Sequence, residues 1–477
     1  MRVSLILAVA LALTVAGAPV HTDLEVRKEP PTPGCLDVAK YLCAVAVNKV
    51  SNLFTGKKGS APGMGSGISQ PWLNTLFHIR PPSRTTNRKS MASNFSSIPI
   101  LDWSLTLDPA TRQQFVSQLR HAAINVGFLY LSNSTVSQGT VDTLISYIPK
   151  LFVLPQDAKE KIRMANSEHF LGYSRLGAEF TKGKTDIREQ FDFATPHASR
   201  WKPGDPDHYR LWGPSQWPDE DLIPGFKAAM EEYLLQVQEL SYAVAKLLSE
   251  ALGLPPDGLS KFYDSPELMQ HRSKIVKYPV VDTSSQSDQG VGPHYDAGFL
   301  TILLQASDHR GLQVQNLSGQ WIDAPPIPGT FVINFGKAIE FVAQGLARAT
   351  SHRVVSPKGT TPRYSIPFFQ NISLDARLAE SVIQCNLLPS FPSFPGVLNL
   401  VLPPTHLVPP EILKLRELRG DVATTESVNF SEFDREPSGK VNLIGRIKSH
   451  PDVAQRHYPV LFAQIFPQGL PAQGSAY

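Results

Sequence analysis

Three cysteines in 477 residues cannot build a disulfide framework, and two of them, Cys35 and Cys43, stand ahead of the region that carries the chemistry. A fold stapled by disulfides is therefore excluded. Excess charge is also lacking: 45 basic against 42 acidic residues leave a formal +3. So weak a field gives no reason to expect a nucleic-acid partner. The apolar run from Leu5 to Val15 is shorter than the roughly 20 residues that a bilayer-spanning helix needs. With Met1-Arg2 before it and Ala16-Gly17-Ala18 after it, the run has the three parts of a secretory signal over residues 1–18. The scarcity of cysteine points the other way. A protein starting near Met91 is expected in the cytoplasm, and one that uses the leader is expected in the secretory pathway. Asn-x-Ser/Thr sequons occur at Asn94, Asn133, Asn316, Asn371 and Asn429, but Asn316 and Asn371 fall in or beside predicted strands, so glycosylation is not inferred.

What the chain has in quantity is proline and glycine, 41 and 32 residues. From Pro30 to about Ser97 these mix with Ser and basic residues, and Gly56 to Gly67 reads as a flexible linker, with one helix expected at Leu36 to Phe54. Residues 19–97 are thus a low-complexity leader. A helical and strand region is expected over 98–272, a β core over 273–375, and a Pro-rich segment with helices over 376–477. Asp108 followed by Pro109 predicts a helix start, and further helices are expected at Val141 to Phe152, after Pro155, and at Ile223 to Leu252. Leu171 to Thr195 reads as a loop. Short β-rich runs at Ser273–Val281, Phe299–Gln305, Leu312–Asn316, Trp321–Ala324, Thr330–Phe335, Arg348–Val355 and Tyr364–Ile372, separated by Gly and Pro turns, favour a jelly roll over a parallel α/β sheet. Helices are expected at Glu411 to Arg419 and at His450 to Phe466, the last packing on the barrel's exterior.

The chemistry concentrates between Gly292 and Ser365. On an extended strand His294 and Asp296 share a face, Tyr295 points away, and His352 must arrive from a distant strand. Two imidazoles and one carboxylate leave adjacent coordination positions open, the arrangement of non-haem iron(II) oxygenases. Arg363 and Ser365 repeat the two-residue spacing and present a guanidinium fork and a hydroxyl, which suit a carboxylate. His-x-Asp alone is a weak signal, since His21-Thr22-Asp23 and His450-Pro451-Asp452 match it too. Only the pair at His294 is followed by strand-like runs, a second His and an Arg-x-Ser.

Several motifs carry a family resemblance: Gly127-Phe128-Leu129-Tyr130-Leu131, Leu171-Gly172-Tyr173-Ser174, Asp186-Ile187-Arg188-Glu189 running to Phe191-Asp192-Phe193, Lys277-Tyr278-Pro279, His294-Tyr295-Asp296-Ala297-Gly298, Ile333-Asn334-Phe335-Gly336, Ser351-His352-Arg353-Val354 and Arg363-Tyr364-Ser365. With these, the chain from about Ile98 to Phe369 resembles the isopenicillin N synthase-like branch of the iron(II)/2-oxoglutarate-dependent dioxygenases, in particular its fungal members. It departs from them at Asn133-Ser134-Thr135-Val136, away from the metal residues. The resemblance implies a mainly β fold with flanking helices around a double-stranded β-helix, whose N-terminal region is of the non-haem dioxygenase type. It also implies Fe(2+) on His294, Asp296 and His352, and 2-oxoglutarate on Arg363 and Ser365 with Tyr278 adding a hydrogen bond. O2 is the second cosubstrate. Tyr173, Arg188 and Phe193 are implied to approach the mouth, where a small organic substrate is oxidised with release of succinate and CO2, by a monomer. Two other readings stay open at this point: an oxidase of the same family drawing its electrons from substrate or ascorbate, and a non-catalytic β-helix that binds a small acid.

Overall fold

The computed structural model describes residues 94–181, 184–282, 287–343, 345–378 and 436–469. Helix α1 (Pro109–His121) begins where its cap predicts, the Asp108 carboxylate accepting from the Ala110 amide at 2.9 Å. Its end runs into a π-helical turn over Ala122–Val126 that closes on Gly127 at φ 77°. A Cβ at Gly127 would lie 2.2 Å from the Thr350 hydroxyl oxygen, so both the left-handed turn and the close packing require glycine.

Strands β1 (Ile100–Asp102), β2 (Phe128–Ser132), β3 (Gly172–Ser174), β6 (Glu189–Ala194), β7 (Arg272–Tyr278), β9 (Leu300–Gln305), β12 (Thr330–Phe335) and β14 (Arg363–Gln370) form an eight-stranded sheet in the order β1-β2-β12-β9-β14-β7-β6-β3. A second sheet holds β8 (Gln289–His294), β10 (Leu312–Gln315), β11 (Trp321–Asp323) and β13 (His352–Val355) in the order β11-β10-β13-β8. A small hairpin pairs β4 (Phe180–Thr181) with β5 (Lys184–Thr185). One core lies between the two large sheets, where Phe128, Val276 and Val332 of the first meet Val291, Val314 and Val354 of the second. A larger core lies on the outer face of the eight-stranded sheet under α1, α2 (Gln138–Phe152) and the 26-residue α4 (Phe226–Ala251), with α3 (Gln156–Lys161) at its edge. These two layers form the expected double-stranded β-helix with flanking helices.

Three expectations change. The stretch Leu171 to Thr195 is not simply a loop, because β3 and β6 within it extend the main sheet from β7. The expected final helix is two, α7 (Pro451–His457) and α8 (Pro459–Ile465), since Pro459 cannot donate to the preceding turn. Together with α6 (Ser438–Ser449), which the sequence did not suggest, they do not lie on the outside of the barrel. They cap Phe170, Trp212 and Met269 and carry Arg446 and His450 to side chains of the barrel mouth. The helix α5 (Lys337–Val342) is also additional. The expected helices at Leu36–Phe54 and Glu411–Arg419, the signal-like residues 1–18, the leader up to residue 93 with Met91, and all three cysteines lie outside the described residues; the last leader residues join the fold, Phe95 packing in the core between the sheets. Among the described residues no helix is long and apolar enough to cross a membrane.

Candidate metal centre

His294 ends β8 and His352 begins β13, and the two residues are direct cross-strand partners in the second sheet. The distant strand expected to deliver His352 is therefore the immediate neighbour, and the ring centroids lie 4.2 Å apart. Asp296 is not on the strand; it sits two residues past its end, in a loop pinned by the start of α5. The amides of Lys337 and Ala338 donate to the Asp296 and Ala297 carbonyls at 2.8 and 3.0 Å. Gly336 presses against the same loop so closely that a Cβ would meet the Gly298 carbonyl oxygen at 2.1 Å. The loop's curvature brings Asp296 Oδ1 to 3.7 Å from His294 Nε2 and 3.8 Å from His352 Nε2. One ligand atom from each residue fits within 4.8 Å of the others.

The remaining atoms are engaged in ways that leave this face free. His294 Nδ1 bonds the Gly292 carbonyl at 2.9 Å and His352 Nδ1 the Thr350 carbonyl at 3.2 Å, so each Nδ1–H donates to backbone and each Nε2 keeps its lone pair. Asp296 Oδ2 accepts from Thr301 Oγ1 at 2.6 Å and Asn334 Nδ2 at 2.7 Å, leaving Oδ1. Burial, then the neighbouring His352, pushes the His294 pKa down to about 4, with the Arg188 guanidinium adding to the effect. Burial would raise Asp296, but the two imidazoles and the Asn334 and Thr301 bonds outweigh it and hold the carboxyl below its ordinary value. Near neutral pH the set holds a neutral His294 imidazole and a carboxylate, donors that suit Fe(II).

Arg363 begins β14 opposite Tyr278, whose ring lies 5.0 Å from the guanidinium carbon, and Ser365 points the same way from the next inward position. Arg363 is 1% exposed. Its Nη2 donates to Gln305 Oε1 at 3.2 Å, while Nε and Nη1 are buried with no hydrogen-bond partner among the described residues. Buried donors are seldom left unmet, so this guanidinium fits an incoming carboxylate.

The residues assigned to the mouth divide. On β6 the even positions face the barrel interior and the odd ones face the helices, and Phe191 and Phe193 are odd. Phe193 stacks on Trp217 at 4.8 Å, and Tyr173, paired with Phe191, gives its hydroxyl to Glu189 Oε1 at 2.9 Å. Both are helix-side core, which corrects their placement in a substrate pocket. Arg188 keeps an inward position, ion-paired with Glu179 and with Asp186 at 3.2 Å. The rival motif at His450 separates into two ion pairs, His450 with Glu179 at 3.0 Å and Asp452 with Arg163 at 3.0 Å. Thr301, Gln305 and Gln190 had no sequence signal. Asn334 stood in a quoted motif without a role.

Two family models match the chain: the non-haem dioxygenase in morphine synthesis N-terminal region over residues 98–220, and the 2OG-Fe(II) oxygenase superfamily over residues 268–372. A 2-oxoglutarate-dependent dioxygenase, frbJ, of Dothideomycetidae sp. is 40% identical over 381 residues, 78% of this chain and 95% of that protein. A homoarginine-6-hydroxylase of Arabidopsis thaliana is 33% identical over 60% of this chain and 88% of its own length. A full-length Neurospora crassa protein, whose crystal structure is in complex with alpha-KG, is 26% identical with a TM-score of 0.51, covering 62% of this chain and 89% of that one. With its triad, its fold and these relatives together, the chain belongs to the iron(II)- and 2-oxoglutarate-dependent dioxygenases of the isopenicillin N synthase-like family.

Proposed function

We propose that His294, Asp296 and His352 hold the iron of this oxidoreductase through Nε2, Oδ1 and Nε2, and that Arg363, with Ser365 and Tyr278, receives the distal carboxylate of 2-oxoglutarate. The observation that carries this assignment is the pairing of two incomplete sets on one barrel interior: three convergent ligand atoms, and a fully buried guanidinium with two donor atoms unclaimed among the described residues. When bound, Fe(II) and 2-oxoglutarate together activate O2 and oxidise an organic substrate, with release of succinate and CO2. The chain contributes position and charge. Backbone carbonyls fix both imidazole tautomers, and Thr301 and Asn334 fix the carboxylate. The divalent cation, Asp296, a dianionic cosubstrate and Arg363 sum to zero formal charge, as a site shielded from water requires.

Among the relatives, the homoarginine-6-hydroxylases act on homoarginine, and the Neurospora crassa protein was also crystallised with thymine. These support a small polar organic substrate, and Arg188, ion-paired with Glu179 and Asp186, is the residue assigned to meet it at the mouth. Residues 98–272 and 273–375 serve as the N-terminal region and the β-helix core, and within the C-terminal segment 376–477 the described residues 436–469 supply the cap that α6 to α8 form.

Replacing Arg363 tests the cosubstrate assignment. Arg363→Ala leaves a buried dianion with one charged partner fewer and is expected to weaken 2-oxoglutarate binding by about 2 to 5 kcal/mol. Arg363→Lys recovers only part, because an ammonium lacks the planar fork. Iron binding is expected to stay unchanged in both. Equal 2-oxoglutarate affinities across the three proteins would move the carboxylate site elsewhere.

A further inference from the structure

The barrel interior beside the metal carries a buried ionic wall that the iron and cosubstrate do not use. Gln190 on β6 pairs with Val276 on β7, which pairs with Ser365 on β14. Directly paired residues share a face, so Gln190 and Ser365 look into the same space two strands apart, about 10 Å. Asp192 and Lys274 form the next row of this face and bond at 2.8 Å. Arg188 joins the wall through Asp186, whose carboxylate accepts from the amide of Gly292, two residues before His294.

Within the wall the formal charges are answered. Glu179 meets Arg188, His450 at 3.0 Å and Lys274 at 3.5 Å. Asp186 meets Arg188 and accepts from Thr181, Gln289 and the Gly292 amide. Asp192 meets Lys274, and Arg446 at 3.9 Å. The hydrogen-bond capacity, however, is not exhausted. Gln190 Nε2 is fixed between Glu179 Oε1 at 2.8 Å and Asp192 Oδ2 at 2.7 Å, which settles the orientation of its amide, and its Oε1 is buried without a partner among the described residues. Arg188 Nε is likewise buried and unpartnered among the described residues, while its Nη2 is held by Glu179 and Asp186. This acceptor and this donor belong to two residues that flank the same Glu179 carboxylate.

We propose that this wall is the substrate-recognition subsite, and that it takes a neutral group carrying an N–H beside a C=O, a carboxamide or lactam edge, with Gln190 Oε1 accepting and Arg188 Nε donating. A guanidinium, ammonium or carboxylate would add an uncompensated charge to a buried network whose ions are already matched, and that is costly. A neutral amide edge fills both open positions and leaves the balance untouched. The subsite rests on the iron and cosubstrate assignment above, because it is defined relative to that site.

The test uses the full-length protein with Fe(II) and 2-oxoglutarate under anaerobic conditions, following the charge-transfer absorption of the iron–cosubstrate complex. Glutarimide, 2-pyrrolidone and uracil are the neutral probes, and homoarginine is the charged comparison. At least one neutral probe is expected to perturb the band and homoarginine is not. Arg188→Lys keeps the charge facing Glu179 and Asp186 but deletes the Nε–H, and is expected to weaken that probe ten-fold or more with 2-oxoglutarate affinity unchanged. Gln190→Leu removes the acceptor, together with the bonds that Nε2 gives Glu179 and Asp192, and is expected to act in the same direction. A response to homoarginine alone, or probe binding indifferent to both substitutions, overturns the subsite. Failure of the band to form at all overturns the iron and cosubstrate assignment instead, which separates the two.

Discussion

Asp296 shows how much of the proposed metal site is built by residues that offer the metal no ligand of their own. Its Oδ2 holds two hydrogen bonds, from Thr301 and Asn334, and its own carbonyl is held by the Lys337 amide. Removing either side-chain donor frees the carboxylate to rotate and withdraws a bond that favours its charged form. Thr301→Val and Asn334→Ala are each expected to weaken Fe(II) binding about 10- to 100-fold while the fold persists. Titration of the metal-free protein with Fe(II) reads this directly, and unchanged affinity in both would show that the loop alone orients Asp296. A second residue-scale consequence concerns pH. His271 is fully buried, Nδ1 accepts from the Asn371 amide at 3.0 Å, and Nε2 lies 2.8 Å from the Tyr242 hydroxyl. Because Nδ1 accepts, the folded ring is neutral, and burial pushes its pKa down to about 3. The unfolded chain takes up this proton near the ordinary value of about 6.5, so stability is fully present above that pH and falls as pH drops toward 3. Between pH 7 and pH 5 the loss attributable to His271 is about 2 kcal/mol. Urea midpoints at the two pH values, compared with His271→Gln, measure it; an equal pH dependence in both proteins would assign the effect elsewhere.

At the scale of elements, the C-terminal cap is held by a small apolar cluster and is expected to be correspondingly sensitive. Ile447 of α6 is fully buried with Leu443, Val453 and Tyr458 against Phe170 and Trp212. Ile447→Ala is expected to cost about 2 to 5 kcal/mol, and limited proteolysis should then cut within 436–469 before the barrel. Simultaneous loss of cap and barrel would show them to be one cooperative unit. The elements legible beforehand were those with ordinary patterning. α1 announced itself by Asp108-Pro109, α4 by a long apolar stripe, and the strands from Phe299 to Ile372 by short apolar runs between Gly and Pro turns. The three residues proposed to hold the metal could be picked out because the spacing and order of such a ligand set are dictated by chemistry, and the structure brings them within 4.8 Å of one another. β6 was missed because its polar positions, Gln190 and Asp192, face inward onto an ion network, reversing the usual apolar-in alternation. Tyr173 and Phe193 were misplaced for the same reason: with the faces exchanged, the aromatic side belongs to the helices. α6 was missed because Ser438-Gly439-Lys440 makes a weak start and its burial comes from the cap's tertiary contacts.

At the scale of the whole molecule, the question is where the folded body needs its N-terminal edge. Phe95 is 8% exposed and packs in the core between the two sheets. Its carbonyl accepts from Asn316 Nδ2 at 3.1 Å, and Asn94 exchanges bonds with Ser318 at 2.8 and 3.3 Å. These residues fasten the turn between β10 and β11, the same sheet that carries His294 and His352, so they support the metal face although they stand ahead of the first strand. A chain beginning at Met91 is therefore expected to keep the thermal stability and the Fe(II) and 2-oxoglutarate affinities of the full-length protein. A chain beginning at Ile98 loses Phe95 and these polar contacts together. By the usual cost of emptying a buried phenylalanine site, it should be destabilised by about 3 to 5 kcal/mol. Phe95→Ala in the full-length protein separates the two contributions, since it keeps the backbone bond to Asn316 and removes only the ring. Thermal melts of the four proteins decide the matter. If the chain from Met91 were as unstable as the one from Ile98, the stabilisation assigned to Asn94 and Phe95 would be wrong.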